Sequence, residues 1–125
     1  MKFKVIRSKF IEGLKSVQNI VAGKGSLPIL QNVKIEAYGN SLTMTTTDLD
    51  ISIKSVIECE VTEEGSTTIP VKLLFTSVTK SAEGEITVEV DGGERATINA
   101  GSARFRLQGK PENEFPKLPE DGDAF

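Results

Sequence analysis

Histidine and tryptophan are absent from the 125 residues, and cysteine occurs once. Without histidine there is no Ser-His-Asp or Cys-His site, no imidazole base and no histidine ligand for zinc. Only chemistry by carboxylates or lysines stays open. The single cysteine, Cys59, rules out a disulfide within the chain and suits a reducing cytoplasm. It alternates with Ile57 and Val61, the setting of a small buried residue. No apolar run approaches the ~20 residues of a membrane span. The opening "MKFKVIRSKF" lacks the apolar stretch of a secretory signal. An apolar content of 38% and a length of 125 residues suffice for one domain with a real core.

The net charge of −3 argues against a wholly basic nucleic-acid binder, but the charge is unevenly spread. The first 25 residues hold Lys2, Lys4, Arg7, Lys9, Lys15 and Lys24 against the lone acid Glu12. Six cations against one acid give +5, and nine against seventeen leave −8 for the rest. Such a start is either a local surface for a polyanion or a run of solvated lysines.

Within it, "AGKGSLPIL" (residues 22–30) looks like part of a phosphate loop. A nucleotide-binding P-loop is excluded. Gly25 separates Lys24 from Ser26, Gln18 stands where the first glycine is needed, and Leu27-Pro28 opposes a helix start. The stretch is either a plain turn or a loop that presents Lys24 to a polyanion.

Hydrophobic periodicity predicts the elements. "MKFKVIR" alternates as a strand, and Ser8 can cap the helix after it. Phe10, Leu14, Val17 and Val21 form a helical stripe that Gly23 and Gly25 end. Three strands come next: Val33–Ala37, Leu42–Thr46, and a long one from Ile51 to Val61. The pattern then restarts. "STTIP" is a short strand, Pro70 opens a helix with Val71, Leu74, Phe75 and Val78 inward, and "EITVEV", "RATINA" and "ARFRLQ" alternate. Asp91-Gly92-Gly93 is a hairpin turn. The chain therefore reads βαβββ twice, about 1–62 and 63–109. The expected fold is α+β, a pseudo-two-fold duplicated unit with both helices on one face of antiparallel sheets. Residues 110–125, with three prolines and several acids, read as an interdomain linker in which Phe115 can fold back onto the body.

Chemistry-bearing candidates are few. Asp48-Leu49-Asp50 has the outline of a metal-binding DxD, but its place between two strands makes it a turn. Arg104 and Arg106 share one face of a strand, with Phe105 and Leu107 on the other. The pair is either a wet face over a core face, or a strand whose basic and apolar groups both meet a partner.

Six short motifs in fixed order match a known family: "MKF.V.R" at the start, "LPIL.N" at 27–32, "TDLD" at 47–50, "TTIP...LF" at 67–75, "SARF.L" at 102–107 and "EFP.L" at 114–118. They resemble the N-terminal domain of the bacterial DNA polymerase III beta subunit, the sliding clamp. The resemblance implies a non-enzymatic processivity factor in the cytoplasm, with no cofactor and no metal. Two protomers of three such domains would close head to tail around double-stranded DNA and tether the polymerase. Helices would line the hole. Polymerase and clamp loader would bind through later domains that this chain does not include. Lys24 and Lys72 match residues that meet the DNA backbone without sequence preference. Arg95, Arg104, Phe105 and Leu107 match the dimer seam, while Ser102 stands where a further arginine is expected. The alternatives are an unrelated protein-binding module that uses a sheet edge and, more remotely, an enzyme with a carboxylate-bound metal.

Overall fold

A computed structural model describes residues 1–20, 27–82 and 84–117. The chain runs β1 (Lys2–Ile6), α1 (Arg7–Gln18), a 3-10 turn (Pro28–Gln31), β2 (Asn32–Tyr38), β3 (Ser41–Thr47), β4 (Ser52–Glu58) and β5 (Glu60–Glu63). It continues through β6 (Gly65–Pro70), α2 (Val71–Lys80), β7 (Glu85–Val90), β8 (Arg95–Ala100) and β9 (Ala103–Gln108), then a second 3-10 turn (Glu112–Glu114). The strands form two antiparallel sheets, in the orders β5-β1-β7-β8-β9 and β4-β3-β2-β6.

These orders disclose how the halves are joined. Each half keeps its last three long strands together and gives its first strand to the other half. β1 pairs with β7, and β6 pairs with β2. Lys4 lies between Thr87 and Glu60, and its two-fold mate Thr68 lies between Lys34 and Lys110. The repeat is one of register as well as of the element order that the sequence pattern predicts.

The long strand expected from Ile51 to Val61 is broken. Ile51 is exposed, and Cys59 separates β4 from β5. The break moves the chain from one sheet to the edge of the other. The Cys59 amide donates to the Asn40 carbonyl at 3.1 Å. Gly109 repeats the device after β9, donating to Glu94 O at 2.8 Å before Lys110 bridges to Thr68. Alternation alone cannot reveal such a break, because the side chains keep their period through it.

The α1 stripe is buried at Phe10, Gly13, Leu14 and Val17; Val21, Gly23 and Gly25, expected at the helix end, lie outside the described residues. Ser8 does not cap α1. The helix begins one residue earlier, and the Arg7 amide donates to Gly84 O at 2.9 Å. The backbone of the other half thus satisfies one of the free amides at the start of the helix. The Arg7 side chain in turn caps α2: Nε donates to Val78 O at 3.2 Å and Nη2 to Thr79 O at 2.9 Å. A cation on the last carbonyls of a helix satisfies free acceptors and opposes the negative dipole end. The contact sets the start of α1 against the end of α2, so the packed pair runs antiparallel.

Both helices and the inward faces of both sheets share one core, centred on Phe3, Phe10, Leu14, Ile35, Met44, Ile69, Leu74, Ile86 and Ile98. Phe3 and Phe10 meet edge to face, with ring centroids 6.2 Å apart. Gly13 lets α1 lie close over β3 and β4, since a Cβ there would meet Met44 Cε and Ile57 Cγ2. A smaller cluster of Ile29, Leu30 and Phe115 lies apart from this core, with Lys34 Nζ 5.6 Å from the Phe115 ring centre.

Two glycines make a paired prediction. A Cβ on Gly109 would collide with the Thr68 carbonyl oxygen, which is backbone held in the seam. Gly109→Ala should cost ~1–3 kcal/mol in urea unfolding. Gly13→Ala meets the flexible end of Met44 and gains helix propensity, so it should stay within about 1 kcal/mol of the parent.

The β7–β8 turn gives a pH prediction. The Asp91 carboxylate accepts the amides of Arg95 at 3.0 Å and Gly93 at 2.9 Å, and these bonds hold its pKa below the ordinary 3.8. A depressed carboxyl adds stability above its unfolded pKa and loses it as pH falls through the folded value. NMR titration should find Asp91 protonating below an unstructured aspartate, with the Gly93 and Arg95 amides shifting in step.

Candidate functional site

Two surfaces collect the candidate residues. The first is the outer face of the helix pair. Lys72 is the second residue of α2 and is exposed. It comes directly after the β6–α2 junction, where Pro70 fixes the backbone entering the helix. Leu73, Thr76 and Lys80 are exposed on the same helix, and Ser8, Lys9, Glu12 and Lys15 on α1. Their cations are not equally available. Lys9 Nζ lies 3.6 Å from Glu58, and Arg7 is bound to the end of α2. Lys72 is in no ion pair among the described residues. Lys24 lies outside the described residues.

The second surface is the edge at β9. Among the described residues only β8 pairs with this strand along Ala103–Gln108, and none of them pairs with its other side. Phe105 and Leu107 are half-buried and pack against the core from its margin. Arg104 and Arg106 point the other way and are exposed. Arg104 Nε donates to Asn99 Oδ1 at 3.0 Å. Arg95 on β8 is exposed, and its amide, not its guanidinium, is bound to Asp91. The four residues expected at a seam therefore lie on two neighbouring strands, and Phe105 and Leu107 share one face. By register, Phe105 is the two-fold mate of Ser55. α1 covers β4 closely through Gly13, whereas α2 meets β9 lightly, which leaves Phe105 and Leu107 partly open.

The remaining candidates form no reactive site. Asp48 Oδ1 accepts the amides of Asp50 at 2.9 Å and Ile51 at 2.7 Å, so this carboxylate builds the turn that holds Leu49 at a φ of 81°. Cys59 is half-buried, and burial raises its thiol pKa, the opposite of an activated nucleophile. Two open depressions of about 360 and 340 Å³ flank Lys9, with mixed charges on their walls. Among the described residues no three Cys, Asp or Glu side chains converge as metal ligands, and no helix is long and apolar enough to cross a membrane.

Sequence patterning missed two contributors. The side chain of Arg7 ties the two halves together, a role that its place at the end of the "MKF.V.R" stretch does not disclose. Thr68 joins the chain after β9 to β6: its amide and Oγ1 both donate to Lys110 O, at 3.0 and 2.9 Å. The glycine immediately past a regular strand, Gly109, was the available signal.

Comparison with known proteins agrees with this architecture. The family model for the DNA polymerase III beta subunit, N-terminal domain, matches residues 1–119. The beta sliding clamp of Chlamydia muridarum is 38% identical over 125 residues, covering all of this chain and 34% of that protein. A beta sliding clamp sequence from Vibrio harveyi is 33% identical over 121 residues, covering 96% of this chain and 83% of that sequence. The crystal structure of a DNA polymerase sliding clamp from Caulobacter crescentus superposes with a TM-score of 0.91 at 31% identity, over 98% of this chain and 34% of the other. That of Bacillus subtilis gives 0.92 at 28% identity, over 96% and 34%. The chain thus spans about a third of the length of the first relatives it matches. A doubled strand register, an antiparallel helix pair on one side and a family match over nearly the whole chain have one common explanation: the chain belongs to the family of the DNA polymerase III beta subunit N-terminal domain.

Proposed function

We propose that this chain is the first domain of a replication clamp, a non-catalytic ring in the cytoplasm that encircles duplex DNA and tethers the replicative polymerase. The observation that carries the reading is the pairing of family membership with the placement of surfaces. The helix pair bears Lys72, the β9 edge bears Phe105, Leu107 and Arg104, and the neighbouring β8 bears Arg95. Residues 1–109 act as one domain in two halves, and 110–125 lead to the next. The helices face the DNA. Lys24 and Lys72 touch phosphates, which position the duplex and carry no sequence information. Lysine, a flexible point charge, makes such contacts weak and interchangeable, as sliding requires. The β9 edge joins a second protomer head to tail, and polymerase and clamp loader engage other domains.

The alternative, an unrelated module that binds proteins by its sheet edge, needs β9 but gives the helix face no role. Charge reversal separates the two. In the complete protein that contains this chain, Lys72→Glu, and likewise Lys24→Glu, should shorten retention on circular DNA. The defect relative to the parent should be largest at low salt and narrow as salt rises, because loss of a phosphate contact lowers the number of counterions released and flattens the salt dependence. Unchanged retention with an intact ring would remove those lysines from the DNA surface.

The seam has its own test. Phe105→Ala should weaken protomer association by about 2–4 kcal/mol through loss of apolar contact at the edge. Sedimentation would read this as a shift from dimer to monomer. A dimer as tight as the parent would exclude the β9 edge as the closing surface.

A further inference from the structure

The segment that leaves β9 is bound to the domain at three points. Gly109 N donates to Glu94 O at 2.8 Å. Lys110 exchanges both backbone hydrogen bonds with Thr68, at 2.9 and 3.0 Å, and so extends the sheet of the first half past β6. The third point is Phe115, only 4% exposed, which packs on Ile29 and Leu30 of the first 3-10 turn. Lys34 Nζ stands 5.6 Å from its ring centre and 3.9 Å from Glu36, so one ammonium serves both the ring and a carboxylate. Among residues 111–117 Phe115 alone is buried; Glu112, Asn113 and Glu114 beside it are exposed. Pro111 and Pro116 restrict the backbone on either side of this anchor. The seat is separate from the main core, because Ile29, Leu30 and Phe115 form a cluster of their own.

We propose that Phe115 is a positioning residue: seated on Ile29, Leu30 and Lys34, it latches the exit segment to the first sheet and fixes the direction in which the chain leaves for the next domain. This role rests on the clamp reading above, in which residues 110–125 lead to that domain, and adds what holds the angle between the two. A ring closes only when each domain meets the next at a set angle. An exit free to swing would spread the ends of a protomer over many separations, and closure would have to order them again. The backbone bonds at Gly109 and Lys110 hold only the start of the segment. Without the Phe115 anchor, residues 111–117 would pivot about Lys110. With it, a segment stiffened by two prolines is fixed at both ends, and the backbone leaves Lys117 in one direction. Because the seat lies apart from the main core, the latch can open as a local unit while both sheets stay folded.

The test takes the complete protein that contains this chain and reads it in two ways. In hydrogen exchange, Phe115→Ala should speed the amides of residues 114 and 115, which bond to Pro111 O and Glu112 O, about tenfold, and leave Ile35 and Met44 of the main core within about twofold of the parent. In a spin-label distance measurement, one label sits on Ser41→Cys, an exposed position outside the latch, in a Cys59→Ser background, and the other on the following domain. The parent should give a narrow distribution, which Phe115→Ala should widen about twofold as the exit begins to swing. Phe115→Leu, which keeps an apolar side chain in the seat, should restore most of the parental width. A role confined to packing within this domain would change exchange and leave the distance alone. A distribution as narrow as the parent's in Phe115→Ala, or parental exchange at residues 114 and 115, would therefore overturn the latch while the clamp reading stands. Faster exchange at Ile35 and Met44 as well would overturn it too, by showing that the seat is part of the main core. A distribution already broad in the parent would overturn latch and ring together, since no fixed angle would exist to be held.

Discussion

Exchange of the first strand between the two halves is the constraint on which the rest of the structure depends. β1 completes the sheet of the second half, and β6 completes that of the first. Neither half can then bury its strands alone, and the helix after each exchanged strand is delivered to the same side. Both helices inherit their antiparallel packing from this crossing. The contacts of Arg7 with the α2 terminus and of its amide with Gly84 are made between halves, while those of Thr68 with Lys110 close the second half on itself. A chain built this way folds as one cooperative unit, because its local repeats are not independent.

The two-fold relation is obeyed by the backbone and relaxed by the side chains. Cys59 and Gly109 interrupt equivalent strands, and their amides bond to equivalent turn carbonyls, Asn40 O and Glu94 O. Gly13 serves the first half in particular, because α1 rests on Met44 and Ile57 at that point. The mate of Phe105 is Ser55, a small polar residue under a closely packed helix. The larger ring of Phe105 lies at a margin that α2 leaves open. In the proposed clamp, that local departure from symmetry is what turns one of two similar strand edges into a protomer seam.

Cations are likewise divided by task. Arg7 is spent on the backbone of α2, where a planar guanidinium can reach two carbonyls at once. Lys72 stays free on the helix surface, where the proposed role is a loose phosphate contact. Arg95, Arg104 and Arg106 face away from the helices and from any duplex they would line. A basic count for the whole chain therefore says little about DNA. What matters is which face of which element carries each charge.

Much of this was legible without coordinates. Alternation at Phe3–Val5, Val33–Ala37, Ile86–Val90 and Ala103–Leu107 determined strands with one inward face, and the spacing of Phe10, Leu14 and Val17 determined an amphipathic helix, because burial of apolar area imposes those periods directly. The recurrence of βαβββ came from the same signal, and short motifs pointed to the family. Tertiary structure alone decided the strand exchange, the break at Cys59, the Arg7 cap in place of Ser8, and the open guanidinium of Arg106. Each depends on a partner distant in sequence: a β7 or β2 neighbour, the Asn40 carbonyl, the end of α2, or, among the described residues, the absence of a carboxylate within ion-pair distance of Arg106. Local pattern records which side of an element is apolar. It does not record which backbone carbonyl or charge will stand opposite, since that is settled only when the two halves close on each other.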